Sequence, residues 1–370
     1  MLVIVSPALR TRGVIMGSTR TNLTIVASVL LLAGQAVGAG PAAADGCPAA
    51  TGQWEVTDLG VTGSALDIND LGQIAGSSVS ASGEQRATVW DGAQVLDLGG
   101  LGGGHAYAGA LDEHGNVVGS SYTAEEKGHA FHWRAGTMTD LGVFGSVPTR
   151  ARDVSAGVIV GEYRHVLPNR TARYQAFRIE NGVRTDLAAV SGSNAAAVNP
   201  AGQIAGTQGL LEPPGPASGR THRAFLWDDG VITELGTLGG QWSQAEAING
   251  DGDIVGQSAL GADGVLAGGF IWSAGAGMRR LPDGGGVAAP KAVNDDDVIA
   301  GTLTCAATGT AAHAAVWTGP DAAPALLPDP ATGTATMANA VNARGEITGW
   351  AEAPDGSRRA LVWRPATNPE

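Results

Sequence analysis

The chain repeats itself, and the period of the repeat decides most of what it can fold into. Aligned on the Asn of the AIN segment, the equivalent positions are Asn69, Asp112, Ser155, Asn199, Asn249, Asn294 and Asn342, spaced 43, 43, 44, 50, 45 and 48 residues apart. Residues 221–258 show one unit most plainly: AFLW, VITELG, AEAIN and DIVGQS, each alternating with period two, are separated by Gly and Asp turns. Four strands per period in the forties is what a β-propeller blade requires, and the 3.6-residue apolar period of a helical repeat is absent. The expected fold is all-β, a seven-bladed β-propeller of four-stranded antiparallel blades, forming a single domain over residues 45–370. The expected blade cores are 65–99, 108–142, 151–187, 195–236, 245–281, 290–327 and 338–364, the last completed by 54–60. Stacked blades bury a thin layer between each pair, so some 326 residues need not divide into several domains.

The columns of the repeat carry the physical detail. Call the AIN segment strand a, followed by b, c and d. Four residues before the aligned position stand Ala65, Ala108, Ala151, Ala195, Ala245, Pro290 and Ala338. Two before it stand Ala110, Ala197, Ala247, Ala292 and Ala340, with Asp67 and Asp153 the exceptions. Regular alternation would put both columns on one methyl-lined face, suited to the crowded centre of a propeller. Strand c instead carries Trp90, Trp133, Trp227, Trp272, Trp317 and Trp363 at one shared position, with Ile179 in the third unit, as expected for core filling between sheets that diverge outward. Strand b has a Gly in every unit (Gly76, Gly119, Gly161, Gly206, Gly256, Gly301 and Gly349), which points to a bulge or to close approach of a large neighbour, expected to be a Trp of the next blade. The a-to-b turn ends on Gly in six units and on Asp297 in the other. It reads as hairpin chemistry, since in NGDGD of the fifth unit Ile254 and Leu260 occupy positions where a calcium loop needs Gly and Glu.

The two ends fit together. The seventh unit stops after strand c, whereas TGQWEVTDLG precedes the first strand a, and Asp58-Leu59-Gly60 matches the strand-d sequences Asp97-Leu98-Gly99 and Asp140-Leu141-Gly142. The front strand is therefore expected to pair as the outer strand of the last blade and close the ring. Ahead of it, residues 1–44 read as a secretory signal: Arg10, Arg12 and Arg20, an apolar run from Leu23 to Gly34 too short to span a bilayer, then Ala42-Ala43-Ala44. The expected product is secreted and extracellular, and not held in a membrane after cleavage. Removing residues 1–44 takes away three Arg and no acid, leaving 19 basic against 35 acidic residues, a net −16. That balance argues against nucleic acid as a partner and suits a soluble monomer.

At GHAFHWRAGTMTDLG (128–142) and RAFLWDDGVITELGTLGG (223–240) the chain resembles the HAF-repeat family, extracellular repeats named for their His-Ala-Phe. The likeness covers nearly the whole mature chain, although only His129-Ala130-Phe131 spells the motif in full; Arg86, Gln175, Arg223, Gly268, His313 and Arg359 stand at the His position elsewhere. The resemblance implies export and a propeller-like array, and brings no activity with it.

No residue constellation names a reaction. There is no nucleophile elbow, HExxH or CxxC, the Gly-rich runs lack dinucleotide-binding spacing, and His129 and His132 lie on opposite faces of one strand, so neither a cofactor nor a metal is expected. Cys47 and Cys305 could pair in an exported chain, but they start from opposite faces of the disc, which leaves two free or intermolecular thiols as the alternative. A binding site is expected on the face bearing the b-to-c and d-to-a connections, where the units differ most. Its candidate residues are His105, Tyr107, Tyr122, Tyr163, Arg164, His165 and Trp242. The leading functional expectation is a non-catalytic binding or surface-interaction module for a cell-wall glycan or another exported protein. The alternative is a polysaccharide hydrolase or lyase using Glu162 and Glu212 with Arg164 or His165, which requires converging carboxylates. A purely structural surface array would instead show a featureless loop face.

Overall fold

The computed structural model describes residues 48, 53–144, 147–166, 172–187, 192–209, 221–261, 266–305, 311–330 and 335–366, and at 147, 148, 165 and 172 the backbone alone. The leader expected at 1–44 lies outside the described residues. Within them the chain is all-β: twenty-seven strands, no helix, and hence no helix long and apolar enough to cross a membrane.

Strands follow the repeat. Five four-stranded sheets hold units two to six, each an antiparallel meander, and one seven-stranded sheet holds units one and seven. The fusion comes from one long strand, Trp54–Ile68, which serves two sheets. Its front half pairs with strand c of the last unit, from Trp54↔Pro365 to Asp58↔Leu361, and its rear half with strand b of the first, from Gly63↔Ser78 to Ile68↔Ile74. The DLG segments turn in the same way at each strand-d end. Gly60, Gly99 and Gly142 all have φ near +80°, and each donates its N–H to the Asp two residues earlier, at 2.7, 2.9 and 2.7 Å. At the front strand that Asp58 also pairs with Arg359 (2.6 Å) of the last unit.

Each sheet packs on the next through its own core. Trp227 lies with Val158, Val160 and Ala176 of the third unit, Trp272 with Ala197, Ala205 and Ala224 of the fourth, and Trp363 with Ala300, Ala314 and Val316 of the sixth. Between the last unit and the first, Trp90 meets Ala340, Ala360 and Val362. The indole N–H of Trp317 donates to Pro282 O and that of Trp363 to Pro328 O (both 2.8 Å), so these rings are core members satisfied by the preceding sheet. The first strands likewise touch their neighbours in order, and the last touches the first.

Two expectations need correction. Every a–b pair slips register between the two Ala columns: the residue between Ala245 and Ala247, or Ala338 and Ala340, has no partner. This β-bulge turns the columns to opposite sides. Ala195 packs in the core shared with the preceding unit and Ala197 in the core shared with the following one. The strand-b Gly answers to the same bulge. A Cβ on Gly206 would stand 2.3 Å from the carbonyl O of Asn194 and 2.5 Å from the Phe225 ring, both in its own sheet; one on Gly349 would meet Met337 O at 1.8 Å. The close neighbour is thus the strand-a carbonyl two residues before the bulged position, joined in some units by the strand-c aromatic, and not a Trp of the next unit.

The a-to-b turns hold a second recurring device. Their closing residues have φ between +73° and +86° at Gly72, Gly115, Gly157, Gly202, Gly252 and Gly345, and +59° at Asp297. The aligned Asn side chains are buried: Oδ1 accepts an N–H four residues on, as from Asp253 (2.7 Å), while Nδ2 donates to the aligned carbonyl of the next unit. Those donations run Asn69 to Asp112, Asn199 to Asn249, Asn249 to Asn294, Asn294 to Asn342, and Asn342 back to Asn69, at 2.9–3.1 Å.

Candidate functional site

Strand a is the edge of its sheet in units two to seven and the rear half of Trp54–Ile68 in unit one, and these strands contact one another cyclically, so the bulged residues lie along the row where the units meet. They are Leu66, Gly109, Arg152, Ala196, Glu246, Lys291 and Asn339. Three of the seven are charged. Sequence reading passed over this column, although it is visible as polar residues set between two columns of Ala.

The charges form an arc of alternating sign. Arg152 grips both carboxylate oxygens of Glu162, Nε to Oε2 and Nη2 to Oε1 at 2.9 Å, and Arg150 Nη1 stands 3.8 Å from the same carboxylate. Lys291 Nζ lies 2.9 Å from Glu246, which also accepts from the Gln244 amide at 2.9 Å. The Glu162 carboxylate, with Tyr107 and Glu246 in range, pushes the Arg152 pKa upward. The Glu162 side chain is 2% exposed, but Arg150 and Arg152 are 36% and 44% exposed. Arg152 is thus partly open to water although the carboxylate it holds is not.

Asp67 and Asp153, where other units have Ala, reach across to the next unit: the N–H of Leu111 donates to Asp67 and that of Val198 to Asp153, both at 2.8 Å. Burial first, and for Asp67 also repulsion from Asp153, pushes these carboxyls up to about 7 and about 6. Among the described residues no group of three His, Cys, Asp or Glu is placed to hold a metal.

The residues expected to bind separate into three groups. His105, Tyr122 and Trp242 do stand at the b-to-c and d-to-a end. His105 accepts from Gln85 N–H (3.2 Å) and meets the Tyr122 ring edge-on at 6.1 Å; Trp242 lies over His222 with centroids 5.4 Å apart. Tyr107 belongs with the inner arc, within electrostatic range of Arg152. Tyr163 leaves the set: it is 7% exposed, packed on Phe177 and Phe144, with its hydroxyl donating to Asp186 at 3.0 Å and burial raising its pKa. The reason is that 162–166 is not a loop, since strand b of this unit runs through Val158–Val166 and pairs with Ala172–Glu180. Arg164 is exposed on that hairpin opposite Tyr174; the His165 backbone pairs with Arg173, and its side chain lies outside the described residues.

Glu212 also lies outside them, and Glu162, its expected catalytic companion, is held by Arg152. At the HAF position, His129 Nδ1 lies 2.9 Å from Asp140 of strand d, and Arg359 makes the matching contact with Asp58, so in these two units the position ties c to d. Cys305 is disulfide-bonded, and the chain's one other cysteine is Cys47, outside the described residues. Pro48 beside it lies where a Cβ on Gly284, in the d-to-a link before the sixth unit, would touch its ring at 3.4 Å. Pro48 thus lies on the face that the topology assigned to Cys305 alone.

No family model matches the chain, and no curated protein matches it. Solved structures do. The β-propeller domain of the Trilobed protease from Pyrococcus furiosus, described as having an open velcro topology, is 9% identical with a TM-score of 0.57, over 82% of this chain and 93% of that one. The Pyrococcus horikoshii acylaminoacyl peptidase is 11% identical with a TM-score of 0.54, over 83% of this chain and 52% of the peptidase. Identities this low show shared architecture alone, and with the repeated four-stranded antiparallel sheets they place the chain among the β-propellers.

Proposed function

We propose that residues 45–370 form a closed seven-bladed propeller, exported by residues 1–44, that works as a monomeric, non-catalytic binding module for a cell-wall glycan or another exported protein. The cyclic contacts of the inner strands, the Asn donation from the last unit to the first and the shared strand Trp54–Ile68 support the ring. The HAF resemblance supports export.

One observation carries the choice of face. Of eleven exposed large apolar side chains among the described residues, Val79, Val143, Val166, Tyr174, Leu266 and Val287 lie at the b-to-c and d-to-a end. The a-to-b and c-to-d end holds the other five: Leu71 at an a-to-b turn, and Val95, Leu96, Val183 and Val231 on the outer strand d. The six stand in or beside connections that differ between units, whereas Val183 and Val231 recur at one position of the outer strand, so the variable end offers the more distinctive binding surface. The capture of Glu162 by Arg152 disfavours the hydrolase reading, because a glycosidase acid must be available to the leaving oxygen.

The test is binding of the mature protein to fractionated cell-wall polysaccharides and exported proteins, with release of soluble sugar followed in parallel. Binding weakened by Tyr174→Ala, without sugar release, is expected; catalytic sugar release would overturn the reading. For the ring, deleting residues 45–60 is expected to leave aggregating material, and a soluble, cooperatively folding product would refute closure.

A further inference from the structure

The inner arc contains more positive charge than its own pairing uses. Glu162 has both oxygens occupied by the Arg152 fork, and Arg150, 3.8 Å away, makes no hydrogen bond to it. Counting Arg150, Arg152 and Lys291 against Glu162 and Glu246, three cations face two carboxylates, in a chain whose formal net charge is −13. A structural ion pair needs one guanidinium. The second is a half-buried guanidinium, ion-paired at 3.8 Å without a hydrogen bond and beside the unused Nη1 of Arg152, and two guanidiniums at one carboxylate leave donors for a second anion.

Resting on the binding reading above, we propose that this arc receives the carboxylate of an acidic sugar, so that the ligand is a uronate-bearing glycan. The carboxylate sits between Arg150 and Arg152, on the side away from Glu162. The sugar ring lies against Tyr107, whose hydroxyl has no partner among the described residues, and its hydroxyls meet the Asn194 amide, whose oxygen is held by Thr207 N–H (3.0 Å) while its NH2 stays available. An aromatic ring, amide donors and a planar charged fork are the groups that distinguish a charged sugar from a neutral one. A sugar end also suits this site: the arc is carried on inner-strand residues that water still reaches, whereas the apolar side chains that would meet a folded protein stand at the outer ends of the strands and in the connections.

Calorimetric titration of the mature protein with oligogalacturonate, neutral oligogalactan of equal length and an acidic peptide tests this. The acid oligomer is expected to bind at least about tenfold tighter than the neutral one, with affinity falling as salt rises. Arg150→Gln is expected to cost at least about tenfold in that affinity. The variant should fold normally, since Arg150 makes no hydrogen bond, and Arg134→Gln at a c-to-d turn should change nothing. Equal binding of acidic and neutral oligomers, or indifference to Arg150→Gln, overturns the arc but leaves the binding module standing. Preference for the peptide, or displacement of the oligomer by inorganic phosphate as readily as by free galacturonate, also refutes the assignment to uronate. Failure to bind any glycan or protein sinks both readings.

Discussion

Substituting Gly206 by Ala tests the account of the strand-b glycines. In an unstrained strand the change is favourable by about 0.5–1 kcal/mol, because Ala restricts the unfolded chain. Here the new Cβ would stand 2.3 Å from Asn194 O, 2.5 Å from Phe225 Cζ and 2.8 Å from its Cε1. An ordinary contact needs roughly 1 Å more, and the oxygen belongs to a bulged backbone that cannot rotate away. Overpacking of this kind costs about 1–3 kcal/mol, and straining the neighbouring a–b hydrogen bonds adds about 1 kcal/mol. After the backbone gain, the expected net loss is about 1–3.5 kcal/mol. Gly301→Ala, which meets Ala289 O at 2.3 Å but no aromatic ring, should lose somewhat less. As a control, Gly230→Asn changes a turn residue with φ +87° and nothing within 4 Å, and should cost no more than about 1 kcal/mol. Urea unfolding followed by tryptophan fluorescence and near-UV circular dichroism reads all three as midpoint shifts at constant slope. A Gly206→Ala midpoint equal to or above that of the parent protein would show that the bulge is not what demands glycine.

Other perturbations follow from the same features. Asn342→Asp keeps the acceptor for Arg344 and Glu346 N–H but removes the donor to Asn69 O and sets a second carboxylate against that of Glu346, which the amide now meets at 2.8 Å, so it should cost about 2–4 kcal/mol in the same urea assay. Because Asp67 and Asp153 have folded pKa values above the unfolded value near 3.8, the folded state holds their protons longer. Their contribution to stability is complete below pH 3.8 and is lost as pH rises to about 6 and about 7. Asp67→Asn should therefore gain on the parent protein between pH 4 and 8, by at most about 1.4 kcal/mol per pH unit, and parallel melting curves across that range would contradict this. Reducing the disulfide at Cys305 should lower stability by about 2–4 kcal/mol, and non-reducing peptide mapping should recover Cys305 joined to Cys47.

Sequence alone shows the period, the four strands of each unit and the partner of the front strand, because each rests on positions repeated in most units. The Trp column is likewise correctly read as core. The strand-b glycines point to a bulge, but its place in strand a stayed hidden. Ala at two positions separated by one residue looks like ordinary alternation, and only hydrogen-bond register shows that the residue between has dropped out of the ladder. The charged arc disappeared with it, since Arg152, Glu246 and Lys291 carry no motif and become neighbours only when distant units meet at the centre. Tyr163 was misplaced for a simpler reason: polar residues between two strands resemble a loop, yet in this unit they prolong a hairpin.

The strand Trp54–Ile68 belongs at once to the opening and the final sheet. As the polypeptide leaves the ribosome, its front half must wait, with Trp54 and Val56 uncovered, until residues near 361–365 have been made. A prematurely terminated chain can therefore complete every intermediate sheet and still display an unsatisfied edge at its start, which gives proteases a means of telling truncated copies from finished ones.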